Sequence, residues 1–261
     1  MSESVIILPG ERVPAEHVNL KLGPGLLQIT RSTEPETNED KPKPFIISTK
    51  AGELNHSANM SKWWVDNNSR RYIPAPQESV VGVVVQRLGE SYRVDIGSAH
   101  YASLDMLAFE GATKRNRPNL KVCIRSIFSI LWTVLYHLLS EVGSLIYARV
   151  SLAHKDMEPE LECFDAQTRK AEGFGELKGG FVVRCSLKMC RNLLDPKHFL
   201  LPMIGTRVPF NAAVGLNGRV WVNAKEVKQV IAVTRCIEAV DLDGSGMTQD
   251  EVKKFLNALD I

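Results

Sequence analysis

Val80-Val81-Gly82-Val83-Val84-Val85 and, past a turn at Leu88-Gly89-Glu90, Ser91-Tyr92-Arg93-Val94-Asp95-Ile96-Gly97 decide the fold. β-Branched residues crowd both runs and a glycine turn joins them, which reads as an antiparallel strand pair. Ala102 to Phe109 adds a third strand, Ser144 to Ala153 a fourth and Met157 to Phe164 a fifth. Five is the strand count of an OB barrel, a fold that binds oligonucleotides on one face. Gly82 and Gly97 fall where a small barrel must bend sharply.

Between the third and fourth strands runs Phe109-Glu-Gly-Ala-Thr-Lys-Arg-Asn-Arg-Pro-Asn119, which Gly111 and Pro118 keep irregular. Lys114, Arg115 and Arg117, with Asn116 and Asn119 among them, put guanidinium and ammonium groups on a rigid support, an arrangement suited to a phosphate backbone. On charge alone a solvated surface loop is an equal reading.

Towards the N-terminus, Val5 to Leu8, Leu20 to Leu22, Leu26 to Thr30 and Phe45 to Thr49 read as short strands, broken by Pro-Gly, Gly-Pro-Gly and the polar run Glu34 to Pro44. Trp63-Trp64-Val65 gives way to the turn Asp66-Asn67-Asn68-Ser69 and to Arg70-Arg71-Tyr72-Ile73-Pro74, a connection into a second domain. The adjacent tryptophans point to opposite faces of an extended chain, one to pack between domains and the other open to base stacking.

Towards the C-terminus, Phe181 to Arg184 reads as a strand and Leu187 to Leu194 as a helix stopped by Pro196. Val208 to Val214 and Arg219 to Asn223 flank Gly215-Leu216-Asn217-Gly218, and Asn-Gly between β-rich runs is a hairpin turn with positive φ expected at both residues. A Gly-x-x-Gly loop also clamps nucleotide backbone in KH domains, but the structural turn accounts better for these letters. Arg219 is the residue there expected to face RNA or a neighbouring subunit, and Trp221 is expected in the core. Ala224 to Val240 and Thr248 to Leu259 carry helical periodicity.

Three kinds of chemistry are disfavoured. Asp241-Leu242-Asp243-Gly244-Ser245-Gly246 opens like a calcium loop, yet its twelfth position is Val252 rather than glutamate, and Glu251 with Thr248 makes a capping box instead. Glu158, Glu160 and Glu162 with Asp156 could imitate a two-metal nuclease cluster, although strand alternation alone places such residues on one solvated face. No Walker loop, HExxH or Gly-x-Ser-x-Gly occurs, and His154 and His198 stand in no motif, so no catalysis, metal or cofactor is expected. The five cysteines form no CxxC and suggest a reducing compartment. The N-terminus has no basic segment followed by a long apolar run, so no secretory signal is expected.

The valine-rich pair, the loop 109–119, Lys155-Asp156-Met157-Glu158-Pro159-Glu160, Leu8-Pro9-Gly10, Gly23-Pro24-Gly25-Leu26 and Gly215-Leu216-Asn217-Gly218-Arg219-Val220-Trp221-Val222 together resemble the family of ribosomal RNA-processing protein 40, a cap subunit of the eukaryotic RNA exosome. The resemblance covers most of the chain. It implies a mainly β protein with an α+β C-terminal part: an N-terminal β domain (1–62), an S1-type OB barrel (63–172) and a KH-like domain (173–261). It further implies a non-catalytic subunit that guides RNA to 3'-5' degradation and rRNA processing. The implied partners are RNA, RNase PH-like ring subunits and the other cap subunits, in nucleus, nucleolus and cytoplasm. Lys114, Arg115, Asn116, Arg117 and Arg219 would contact RNA. A magnesium-dependent nuclease, a stand-alone S1/KH RNA-binding protein and a calcium-responsive adaptor are the alternatives.

One departure is large. The family runs from Asn119-Leu120-Lys121-Val122 almost directly into Gly143-Ser144, whereas this chain interposes the apolar residues 123–142, a translated intron or a lineage-specific insertion. The uncharged core from Ser126 to Ser140 falls short of the ~20 residues that a bilayer needs, so no membrane association is expected.

Overall fold

The computed structural model describes residues 5–13, 21–29, 45–57, 62–122, 143–154, 156–241 and 247–258. The run 34–44, the apolar segment 123–142, Lys155 and the loop 242–246 lie outside them. The chain divides into two compact units, Met1–Asn68 and Ser69–Ile261.

In the first unit, β1 (Val5–Ile7), β2 (Lys21–Leu22), β5 (Gly52–His56) and β6 (Lys62–Asp66) form a sheet in the order β1-β5-β6-β2, and β3 (Leu26–Ile29) pairs with β4 (Phe45–Ser48). Ile7, Val13, Leu54 and Val65 are its buried core. The boundary expected at 62/63 is corrected by β6: Val65 lies opposite Leu54 and Trp63 opposite His56. The strand therefore belongs to the first sheet, and the break follows Asn68, where the polar turn stood. Trp63 meets the His56 ring at 5.1 Å within this unit.

The second unit opens with the barrel: β7 (Ser79–Leu88), β8 (Ser91–Asp95), β9 (Ala102–Phe109), β10 (Leu145–Leu152) and β11 (Glu160–Cys163). They pair in the order β11-β9-β8-β7-β10, and β11 also pairs with β10, which closes the barrel. Inside lie Val84, Tyr92, Val94, Leu104, Met106, Ile146 and Val150. A Cβ at Gly82 would strike Val94 Cγ1, so only glycine lets these strands approach. A further strand, β12 (Gly175–Leu177), pairs with β10, so the barrel continues past the boundary expected at 172/173.

Two hydrogen bonds of the Tyr92 hydroxyl tie the first end of the 110–144 connection to the barrel, and a backbone bond joins its two ends. The buried Tyr92 hydroxyl donates to the Pro118 carbonyl at 2.9 Å and accepts from Leu120 N–H at 3.3 Å. Ser144 N–H donates to the Lys121 carbonyl at 2.9 Å. That last bond has a consequence for residues 123–142. If Val122 were joined to Gly143, Lys121 and Ser144 would become the first and fourth residues of a β-turn whose hydrogen bond already exists, with glycine third. The deleted chain is expected to fold and to gain about 1.5 kcal/mol from shortening a loop of some two dozen residues to four. Urea denaturation of both forms measures this; failure of the deleted chain to fold would show that the segment completes the barrel.

The C-terminal part has the order β13 (Phe181–Arg184), α1 (Leu187–Leu194), α2 (Leu200–Gly205), β14 (Phe210–Gly215), β15 (Arg219–Ala224), α3 (Val227–Val240) and α4 (Gln249–Ala258). The strands form an antiparallel sheet, β13-β15-β14. Its inward residues Val183, Val214, Val220 and Val222 pack on Met189, Leu193, Ile204, Val233, Ile237 and Val252. Ser186 caps α1, its hydroxyl accepting from Met189 N–H at 3.1 Å. At the head of α4 the Glu251 carboxylate accepts from Thr248 N–H at 2.8 Å, the reciprocal half of a capping box. Among the described residues no helix is long and apolar enough to cross a membrane.

Candidate nucleic-acid interface

The loop after β9 is built rigidly up to its tip. Gly111 turns with φ +67, and Thr113 and Asn116 exchange backbone hydrogen bonds at 3.1 Å. Glu110 accepts from Ala171 N–H at 2.6 Å, and Arg117 pairs with Glu90 at 2.9 Å. Lys114, Arg115 and Asn116 are left exposed at the tip. Lys114 and Arg115 have no acidic partner among the described residues, whereas Arg117 is half spent on Glu90.

From this loop the second and third barrel strands, the face OB folds use for oligonucleotides, run back towards the connection between β8 and β9. The strand rise places the two ends about 23 Å apart. At the far end a cavity of about 450 Å³ is lined by Arg93, Asp95, Ser98, His100, Tyr101 and Glu158. Tyr101 is 43% exposed, an open ring beside a cation. Composition gave no signal for Arg93, His100 or Tyr101; they emerge from the alternation of β8 and from the turn that follows it.

Gly215-Leu216-Asn217-Gly218 is a different kind of element. Gly215 pairs with Arg219, so the hairpin connection has three residues, and of these only Gly218 is left-handed, with φ +77. A two-residue turn with both φ positive is thereby corrected to a three-residue loop ending in a left-handed glycine. Asn217 is buried against the barrel. Its amide donates to Val81 O and Ile96 O, both at 2.8 Å, and its oxygen accepts from Val81 N–H at 3.2 Å. Leu216 N–H donates to Ser79 O at 2.8 Å. The loop thus joins two parts of one unit.

Arg219 follows it inward. Its guanidinium donates to Asp95 O at 2.7 Å and meets the Asp95 carboxylate at 3.3 Å, with the side chain only 14% exposed. Arg219, expected to face RNA or a neighbouring subunit, is held on Asp95 rather than extended into solvent: an arginine beside a docked loop finds backbone carbonyls before it finds solvent.

Two of the four acidic residues, Glu158 and Glu162, are paired with arginines. Glu162 forms a short ion pair with the buried Arg149, and Glu158 meets Arg93 at 3.5 Å. Arg149 also donates to the Gln77 side chain at 2.9 Å. Among the described residues no cluster of three His, Cys, Asp or Glu could hold a metal. Asp241, first residue of the calcium-like loop, is 5% exposed, and its two oxygens accept from Ser186 N–H and Ser186 Oγ. Near the same seam, burial raises the Tyr72 hydroxyl pKa and the Glu78 charge adds to the effect. Glu78 is itself raised by burial, and Tyr72 donates to it at 2.7 Å.

A closed five-stranded barrel with a basic loop, docked by a buried Asn-Gly hairpin onto a strand-helix-helix-strand-strand-helix domain, defines a chain of the S1-plus-KH class. Comparison with known families and proteins agrees. Residues 72–126 and 138–175 match the S1 domain of exosome complex component RRP40, 180–228 a KH domain, and 20–71 the N-terminal domain of exosome complex exonuclease Rrp40. The break in the S1 match falls inside the apolar segment 123–142. Exosome complex component rrp40 of Schizosaccharomyces pombe is 41% identical, over 96% of this chain and 92% of that protein. The human exosome complex component RRP40 is 34% identical, over 82% of this chain and 71% of its own length. A crystal structure assigned as an exosome complex RNA-binding protein shares the fold, with TM-score 0.52 at 20% identity, over 73% of this chain and 96% of that one. The chain belongs to the RRP40 family of exosome complex components.

Proposed function

We propose that this chain is a non-catalytic, RNA-binding cap subunit of an exosome, passing RNA towards a 3'-5' exonuclease carried by other subunits. The observation that carries the RNA reading is the loop tip: Lys114 and Arg115 are exposed and unneutralised on a loop pinned by Tyr92 and Glu90. The exosome comes from the relatives, which are exosome complex components. Absence of catalysis is supported by the acidic strand, whose Glu162 is committed to Arg149 and whose neighbour Glu158 is committed to Arg93. RNase PH-like ring subunits and the other cap subunits are the proposed partners, and nucleus, nucleolus and cytoplasm the proposed locations.

The test is binding of a single-stranded oligouridylate by the full chain across a salt series. Lys114→Ala with Arg115→Ala is expected to weaken binding about tenfold, since two exposed charge contacts are each worth ~0.5–1 kcal/mol. It should also flatten the log–log salt slope by about 1.4, as two phosphate contacts on a single strand would. The melting temperature should not move. Unchanged affinity, or magnesium-dependent cleavage of the oligonucleotide by the purified chain, would count against the proposal.

A further inference from the structure

The three-stranded sheet sets two arginines face to face. Arg184 on β13 lies opposite Arg219 on β15. Cys185 N–H donates to Gly218 O at 3.0 Å, so 185/218 is a hydrogen-bonded pair and 184/219 is the adjoining pair without backbone bonds. Side chains approach most closely at such a pair, and like charges there are destabilising. Both residues project from the side of the sheet away from the helices, because Val183 and Val220 take the inward positions.

The surroundings compensate one of these charges and not the other. Asp95 is committed to Arg219 and to Gly97 N–H. Arg184 is exposed and has no acceptor among the described residues, and the same holds for Arg70. All three arginines line one cavity of about 590 Å³, together with Ser69, Ser186 and Gly218. Among the described residues no carboxylate lines it. Two acids bonded to residues of its lining are engaged there, Asp241 with Ser186 and Glu78 with Tyr72. A cavity bearing two guanidinium groups without an acidic partner, Arg70 and Arg184, beside a third held by Asp95 favours an anion, and planar guanidinium forks match phosphate oxygens.

The adjoining surface points to a polymer of phosphates. The cavity lined by Arg93, His100 and Tyr101 adjoins this one along the turn that follows β8: Asp95 and Ser98 line the first cavity, Gly97 the second. A strand whose base lies on Tyr101 would therefore have its next phosphates carried past Gly97. We propose that the seam between barrel and KH-like sheet holds a backbone phosphate of single-stranded RNA through Arg70 and Arg184. Arg219, held by Asp95, closes the site from below. This inference rests on the RNA-binding reading above, and it places a second contact region beyond the loop of Lys114 and Arg115.

The experiment uses the full chain carrying Arg70→Ala and Arg184→Ala, titrated with fluorescent oligouridylate over a salt series, beside the wild type. The dissociation constant is expected to rise about tenfold at moderate salt, and the salt slope to fall by about 1.4, two single-strand phosphate contacts at roughly 0.7 each. The melting temperature should hold or rise, since a like-charge pair is relieved. Arg70→Lys with Arg184→Lys should keep most of the slope while losing part of the affinity, because charge survives and the fork does not. Unchanged affinity and slope in the alanine variant, with the wild type binding normally, would overturn this site and leave the loop reading intact. A clear fall in melting temperature would make the arginines structural and overturn it too. Absence of binding by the wild type would overturn the RNA reading beneath both.

Discussion

Replacing Asn217 by alanine is expected to lower the stability of the Ser69–Ile261 unit by about 3–5 kcal/mol, because two buried backbone groups lose their partner at 1–3 kcal/mol each, along with the bonds themselves. The groups are Val81 N–H and Ile96 C=O, both satisfied by the one amide. For a unit of this size the melting temperature should fall by about 10 °C. The loss should also separate the barrel from the KH-like part, so that circular dichroism and tryptophan fluorescence report different midpoints where the wild type shows one. Asn217→Asp is no rescue: it keeps an acceptor for Val81 N–H but turns a carboxylate oxygen towards two carbonyls. A variant melting within two degrees or so of wild type would show that the hairpin is docked by its backbone alone.

Asp241→Ala should cost about 2–4 kcal/mol, since it strips the acceptor from Ser186 N–H and Ser186 Oγ, two buried donors. Ser186→Ala, which removes a helix cap, should cost about 1 kcal/mol. The two should couple in a double-mutant cycle by more than about 1 kcal/mol, because they act through the same bonds. Calcium decides between this role and the ion-binding one. A carboxylate committed to two donors inside the fold offers no site, so millimolar calcium should leave the wild-type melting temperature unmoved. A calcium-dependent rise abolished by Asp241→Ala would restore the calcium-loop reading.

How far each feature was legible depended on the range of the interaction that makes it. Barrel strands β7 to β10 were readable almost to the residue, because alternation of Val, Tyr and Ile against polar positions is a local signal. The helix Leu187–Leu194 was readable up to its stop at Pro196. Three kinds of element escaped. The strands Gly52–His56 and Lys62–Asp66 were not read as strands, the first because Leu54 is its one apolar residue and the second because three apolar residues in a row carry no alternation; Leu54 and Val65 pair only when the sheet is formed. The strand Gly175–Leu177 has three residues, too few for a period. The helix Leu200–Gly205 contains Pro202 and ends in glycine, both of which read as breakers, yet a proline in the first turn loses no helical bond.

By itself the sequence determined that residues 79–109 make consecutive strands of a small barrel, that a basic loop interrupts them, and that Asn217-Gly218 turns a hairpin. Each follows from residues within a few positions of one another. Tertiary structure alone decided which charges remain available for a ligand. Arg117 is half spent on Glu90, 27 residues away, and Arg219 is held by Asp95, 124 residues away, while Lys114, Arg115, Arg70 and Arg184 have no acidic partner among the described residues. A guanidinium is committed by the oxygen nearest to it in space, and contacts at that separation along the chain have no periodicity from which they could be read.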